Sequence, residues 1–156
     1  MSSFEVIGGN KLHGEIIPQG AKNEALQVLS AVLLTAEPVT ISNIPDILDV
    51  NLLIELLADI GVKVARTAKD TYTFRADDID VDYLASEAFR KKGGRLRGSV
   101  MFAVPLLSRF KKAYIPKPGG DTIGRRRLDT HIIGFEKLGA KYEHDDALGC
   151  FTLSSP

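Results

Sequence analysis

The chain has 156 residues, 44% apolar and 26% charged, and its 20 basic and 20 acidic side chains cancel at neutral pH. That length fits about one domain, and the composition is ordinary for a soluble globular protein. Balanced charge argues against a general nucleic-acid or membrane binder, which needs a basic excess, and a lone cysteine, Cys150, excludes an intrachain disulfide and a cysteine-based metal site.

The first residues hold no basic segment followed by an apolar run, so no signal peptide is expected. No apolar stretch nears the ~20 residues that span a bilayer. A reducing, cytoplasmic setting is the expectation. Residues 4–18 predict two short strands, with Phe4, Val6 and Ile7 before Gly8-Gly9-Asn10 and the run from Leu12 to Ile17 after it. A helix follows from about Asn23 to Leu34. It is apolar nearly all round, so burial is expected. Lys22 and Asn23 sit at its opening, where Asn is a good N-cap. Either the pair only caps and solvates the helix end, or it forms an anion site there.

Pro38 to Ile41 predicts a strand, and Asn43-Ile44-Pro45 turns it. Asp46 or Asp49 then starts a helix running to about Ile60, with Leu48, Leu52, Leu53, Leu56, Leu57 and Ile60 on one face. Gly61 is its stop. Val62 to Ala65 and Thr71 to Phe74 predict a strand pair. Residues 76–95 read as a polar connection. Asp77, Asp78, Asp80 and Asp82 are spaced like a calcium loop but lack its glycine and closing glutamate, so they read as a solvated acidic link without metal.

The order then repeats. Leu96 to Phe110 predicts a helix and Ala113 to Ile115 a strand. A second helix ends near Leu138 with Gly139 as stop, and Ala140 to Glu143 and Cys150 to Leu153 form the last strand pair. Leu48-Asp49-Val50-Asn51-Leu52-Leu53 parallels Leu128-Asp129-Thr130-His131-Ile132-Ile133. Ile60-Gly61-Val62-Lys63-Val64 parallels Leu138-Gly139-Ala140-Lys141-Tyr142. Each unit is helix, strand, helix, strand, strand, and such repeats stack because one alone cannot bury its apolar face. Lys22 and Arg97 then hold equivalent places, which points both at one cleft.

Between the second unit's first strand and second helix lies Lys117-Pro118-Gly119-Gly120-Asp121-Thr122-Ile123-Gly124-Arg125-Arg126-Arg127-Leu128-Asp129. Pro118-Gly119-Gly120 cannot continue a helix or a central strand, so it is a turn. It feeds a helix N-terminus, where unpaired N–H groups and a partial positive charge attract anions. Arg125, Arg126 and Arg127 add forks suited to phosphate or carboxylate. Asp121 is an acid at the tip. One reading is an anion site with an acid poised beside it; the other is a surface turn with a solvated basic patch.

These residues resemble a known family. Gly20-Ala21-Lys22-Asn23, Arg97-Gly98-Ser99 and Pro118-Gly119-Gly120-Asp121-Thr122-Ile123-Gly124, with Arg126, Asp129 and His131, are similar to motifs of the UDP-N-acetylglucosamine 1-carboxyvinyltransferases, the enolpyruvyl transferases that open peptidoglycan synthesis. The resemblance covers essentially the whole chain and matches the family's N-terminal part. It implies an α/β (α+β) fold, an inside-out barrel built from βαβαββ-type repeats, of which about two are present. Residues 1–20 are then a hairpin belonging with a second domain, 21–90 the first repeat, and 91–156 the second repeat with the glycine loop.

The resemblance implies transfer of the enolpyruvyl group of phosphoenolpyruvate to the 3′-hydroxyl of UDP-N-acetylglucosamine with release of phosphate, without metal or organic cofactor. Lys22 and Arg126 should hold the phosphate of phosphoenolpyruvate. Asn23 should contact the amino sugar, and Arg97 and Asp129 the uridine nucleotide end. His131 lies near these. Asp121, where most members have cysteine, should be the general acid, which implies insensitivity to fosfomycin, the drug that alkylates that cysteine. Cys150 is expected to be an inert core thiol. Arg127 departs from the proline of many members. The third repeat, the second domain and the family's catalytic base are not matched, so the chain reads as a piece of a longer enzyme, inactive alone and inclined to self-associate through exposed apolar edges. Two alternatives are the shikimate-pathway enolpyruvyl transferase, whose lysine-serine opening is not found here, and a non-catalytic module binding a nucleotide sugar or a partner protein.

Overall fold

In a computed structural model, which describes residues 3–117, 127–146 and 149–156, the chain builds two successive units of one design. The first has helix α1 (Lys22–Ala31), strand β1 (Val39–Ile41), helix α2 (Leu48–Asp59) and strands β2 (Lys63–Ala68) and β3 (Thr71–Arg75). A short helix α3 (Glu87–Gly93) links it to the second unit. That unit has α4 (Ala103–Phe110), β4 (Lys112–Pro116), α5 (Asp129–Lys137), β5 (Lys141–Asp145) and β6 (Cys150–Ser154). Each unit closes its own three-stranded antiparallel sheet, ordered β1-β3-β2 in the first and β4-β6-β5 in the second. The described strands form two separate sheets, not a closed barrel.

The duplication extends to how the second helix of each unit ends. Gly61 and Gly139 both take positive φ, +102° and +91°. After α2, Gly61 N–H donates to Ala58 O at 3.0 Å and Val62 N–H to Leu57 O at 2.9 Å. After α5, Gly139 N–H donates to Glu136 O at 2.9 Å and Ala140 N–H to Phe135 O at 3.0 Å. This is the same glycine-terminated Schellman pattern twice. It turns each helix directly into the next strand.

One apolar core runs through both units. Leu29, Leu33, Leu53, Leu56, Leu57, Phe74, Phe102 and Leu106 are fully buried within it. Helix α1 packs on α2 and on a 3-10 turn at Arg97–Phe102 that precedes α4. Arg109 of α4 locks the units together. Its guanidinium donates to Leu33 O at 2.9 Å and to Thr35 O and Ala76 O, both at 3.0 Å. These carbonyls end the first helix region and leave the first sheet, so one side chain satisfies backbone from two directions.

Several expectations are corrected. Residues 3–20 carry no strand, and Phe4, Ile7, Leu12 and Ile16 are exposed. A two-stranded hairpin is marginal without an apolar surface to lie on, and nothing among the described residues covers this one. Helix α1 begins at Lys22 after Ala21, so Asn23 lies inside the first turn and does not cap it. Nor is the stretch from Asn23 to Leu34 buried all round: Val28 in α1 is 42% exposed, and Leu34, in the 3-10 turn Val32–Leu34 that follows it, is 50% exposed. The second unit opens as a 3-10 turn, with the α-helix starting only at Ala103.

The stretch 76–95 is not a plain connection. It holds a 3-10 turn at Asp82–Ala85 and then α3. The Ser86 hydroxyl accepts from Phe89 N–H at 3.1 Å, with Glu87 in the first turn and Arg90, Lys91 and Lys92 in the last. That is a capped helix with charges matched to its dipole. Leu84 and Phe89 are fully buried, each contributing about 2 kcal/mol of apolar burial. Asp77 pairs with Lys63 and Arg75, each at 3.0 Å, and the Lys63 hydrogen bond above all holds its carboxyl below the usual range.

Candidate functional site

The hollow between the two units forms where two helical elements begin. Lys22 is the first residue of α1, and Arg97 is the first residue of the 3-10 turn that opens the second unit. Gly98 lies against α1: a Cβ there would lie 3.2 Å from Leu26 Cδ1, so that side chain would have to give by a few tenths of an ångström. Between Lys22 and Arg97 lies a cavity of about 350 Å³, lined among others by Lys22, Asn23, Asp49, Arg95, Arg97 and His131. That volume suits a small polar ligand. Leu26, Leu96 and Val100 give it an apolar floor.

The first unit contributes Lys22 and Asn23 from the opening turn of α1. Ala21 has no side-chain oxygen, and no side chain caps that turn. Lys22 Nζ meets Asp49 Oδ2 at 2.9 Å, and both side chains are partly exposed, at 39% and 40%. Asp49 stands in the first turn of α2. The second unit contributes Arg95 and Arg97, and then Leu128 and His131 at the start of α5. Among the described residues three cations and one carboxylate thus share the wall, a net positive set toward an anion.

The cavity therefore gathers Lys22, Asn23, Arg97 and His131. Asp129, the first residue of α5, is one step away from it, and its carboxylate pairs with Arg127. Asp121 and Arg126 lie outside the described residues. Arg95 and Asp49 were missed as site residues by sequence reasoning. The signal for Asp49 was present, because the duplicated hexapeptide aligns it with Asp129. Arg95 carried none, since it lies in a stretch read as connection. Cys150 is fully buried on β6 beside Pro116 and Asp145, and burial pushes its thiol up.

Among the described residues no group of histidine, cysteine, aspartate and glutamate is arranged to hold a metal ion, and no helix is long and apolar enough to cross a membrane.

Residues 6–153 match the model of the EPSP synthase (3-phosphoshikimate 1-carboxyvinyltransferase) family. The UDP-N-acetylglucosamine 1-carboxyvinyltransferase of Bacteroides thetaiotaomicron is 56% identical over 155 residues, covering 99% of this chain and 36% of that relative. That of Porphyromonas gingivalis is 54% identical over the same length and shares. Among solved structures, the enolpyruvyl transferase NikO from Streptomyces tendae superposes with a TM-score of 0.72 at 25% identity, over 95% of this chain and 31% of that one. The chain spans about a third of the length of the curated relatives it matches.

Proposed function

This chain belongs to the EPSP synthase family of carboxyvinyltransferases, and on that premise we propose that the whole protein transfers the enolpyruvyl group of phosphoenolpyruvate to the 3′-hydroxyl of UDP-N-acetylglucosamine, releasing phosphate, in peptidoglycan synthesis. The observation that carries the reading is the convergence of Lys22 and Arg97, from equivalent points of two repeats, on one cavity with Asn23 and His131. Both substrates are polyanions, and cations at helix openings suit them.

In this proposal Lys22 and Arg126 take the phosphate of phosphoenolpyruvate, Asn23 the amino sugar, and Arg97 and Asp129 the nucleotide end, with His131 beside them. Asp121 delivers a proton to the methylene carbon of phosphoenolpyruvate. The neighbouring carbon, made electron-poor, accepts the sugar oxygen as the hydroxyl gives up its proton to a base. Loss of phosphate from that carbon and of a proton from the new methyl group restores the double bond. An acid on a loop can do this once closure excludes water. The base falls outside the residues matched here, so this chain alone is expected to bind without releasing phosphate.

The test is calorimetric titration of UDP-N-acetylglucosamine into the full-length protein. Saturable binding that Arg97→Ala weakens supports the reading, and no binding contradicts it. A second expectation follows from Asp121: fosfomycin leaves the enzyme active, while Asp121→Cys makes it sensitive. Inactivation of the unaltered enzyme would contradict that role.

A further inference from the structure

Among the described residues Asp49 is the one carboxylate on the wall of this cavity, and it pairs with the lysine that the proposed function gives to phosphate. A carboxylate near an anion site repels the ligand, so its presence needs a reason. Part of the reason is local: an acid in the first turn of α2 favours the helix dipole. That explains an acid in this turn but not its contact with Lys22, 27 residues away on another helix.

The duplication supplies the comparison. The second unit places Asp129 at the start of α5, where the first places Asp49 at the start of α2. Each acid is engaged by a cation beside the cavity: Asp129 by Arg127, two residues before it, and Asp49 by Lys22 of α1. In the first unit the contact therefore crosses between the two helices. Lysine is a flexible stem with a compact charge, and many rotamers would carry its ammonium out to solvent. The Asp49 carboxylate at 2.9 Å selects a rotamer that keeps Lys22 Nζ in the hollow.

We infer that Asp49 is a positioning residue for the reaction, holding the Lys22 ammonium in the cavity where the phosphate of phosphoenolpyruvate is to bind. The inference rests on the function proposed above. Asp49 acts through Lys22 and need not touch either substrate. When phosphate arrives, one ammonium with three donors can keep its bond to Asp49 and donate to phosphate with the others.

The test is steady-state kinetics of the full-length enzyme with Asp49→Asn, Asp49→Glu, Lys22→Ala and the Asp49→Asn/Lys22→Ala double variant. Asp49→Asn is expected to raise the KM for phosphoenolpyruvate roughly 5-fold, the scale of losing one partly exposed ion pair that pre-organises a contact. The Kd for UDP-N-acetylglucosamine should stay unchanged. Asp49→Glu, which keeps the charge, should retain most of the original KM. In the Lys22→Ala background, Asp49→Asn should change nothing further, because residues acting through one contact are not additive. A KM that is unchanged or lower in Asp49→Asn overturns the inference, since the carboxylate would then be idle or a competitor of phosphate. Additive effects in the double variant overturn it too. If Asp49→Asn does not fold, Asp49→Glu decides: a KM raised as far as in Lys22→Ala overturns the inference. Failure of the functional reading itself looks different, because the unaltered enzyme would then show no turnover with these substrates.

Discussion

Lys22 and Arg97 stand at the same point of two successive repeats, each the first residue of its unit's opening helical element, and both line one cavity. Duplication has aimed two cations at one hollow, and Leu26 of α1 lies against Gly98 beside them. If each makes a charge-assisted hydrogen bond to a substrate anion, worth about 1.5–3 kcal/mol, then Lys22→Ala and Arg97→Ala should each lower kcat/KM of the full-length enzyme about 10- to 100-fold. Melting temperatures should barely move, because neither residue lies in the core. Initial rates of phosphate release check the first point and thermal unfolding the second. Wild-type rates in both variants would remove these residues from the site.

Gly61 and Gly139 end equivalent helices at similar positive φ, yet they should not respond alike to alanine. A Cβ on Gly139 meets nothing within 4 Å among the described residues, so only the left-handed backbone is penalised, at about 1–2 kcal/mol. A Cβ on Gly61 would lie 2.3 Å from Asp78 O, a backbone atom that cannot step aside cheaply. Urea denaturation should show Gly61→Ala losing about 3 kcal/mol or more, well beyond Gly139→Ala. Equal losses would mean that the Asp78 carbonyl moves freely.

Arg109 should be a stability residue. Removing it leaves Leu33 O, Thr35 O and Ala76 O without their shared donor at the junction of the units. Arg109→Ala should cost about 2–4 kcal/mol in urea denaturation, and Arg109→Lys should recover part of it, since an ammonium keeps the charge but not the fork. A loss under 1 kcal/mol would show that water replaces the guanidinium.

Much of this could be read from the chain because it depends on local signals. The glycines after α2 and α5, the leucine face of α2 and the paired hexapeptides are short-range features, and the two units follow them. Helix α3 was missed although Ser86, Glu87 and the basic triplet Arg90-Lys91-Lys92 spell out its ends. The aspartates before it drew attention as a group, while the helix depends on two apolar side chains, Leu84 and Phe89, that look isolated in sequence. The strands expected in 4–18 were misjudged for the opposite reason. Their alternation is sound, but a strand pair needs a surface to cover, and pattern alone does not reveal whether one is there. Asp49 read as a helix starter because its contact with Lys22 spans 27 residues.

Cys150 should ionise only on unfolding. Burial raises its folded-state pKa above that of the same thiol in the unfolded chain. For a group raised in the folded state, the contribution to stability is full below the unfolded pKa and is lost as pH rises through the window above it. Between pH 8 and 10 the unaltered protein should therefore lose stability that Cys150→Ala does not. At neutral pH a thiol reagent should label Cys150 only in denaturant. Rapid labelling of the native protein would contradict its burial.

The most direct measurement is phosphate release by the full-length protein given phosphoenolpyruvate with either UDP-N-acetylglucosamine or 3-phosphoshikimate as acceptor. Release that requires UDP-N-acetylglucosamine, and that falls in Lys22→Ala and Arg97→Ala, is the result expected. Release with 3-phosphoshikimate instead, or none with either acceptor, would contradict it.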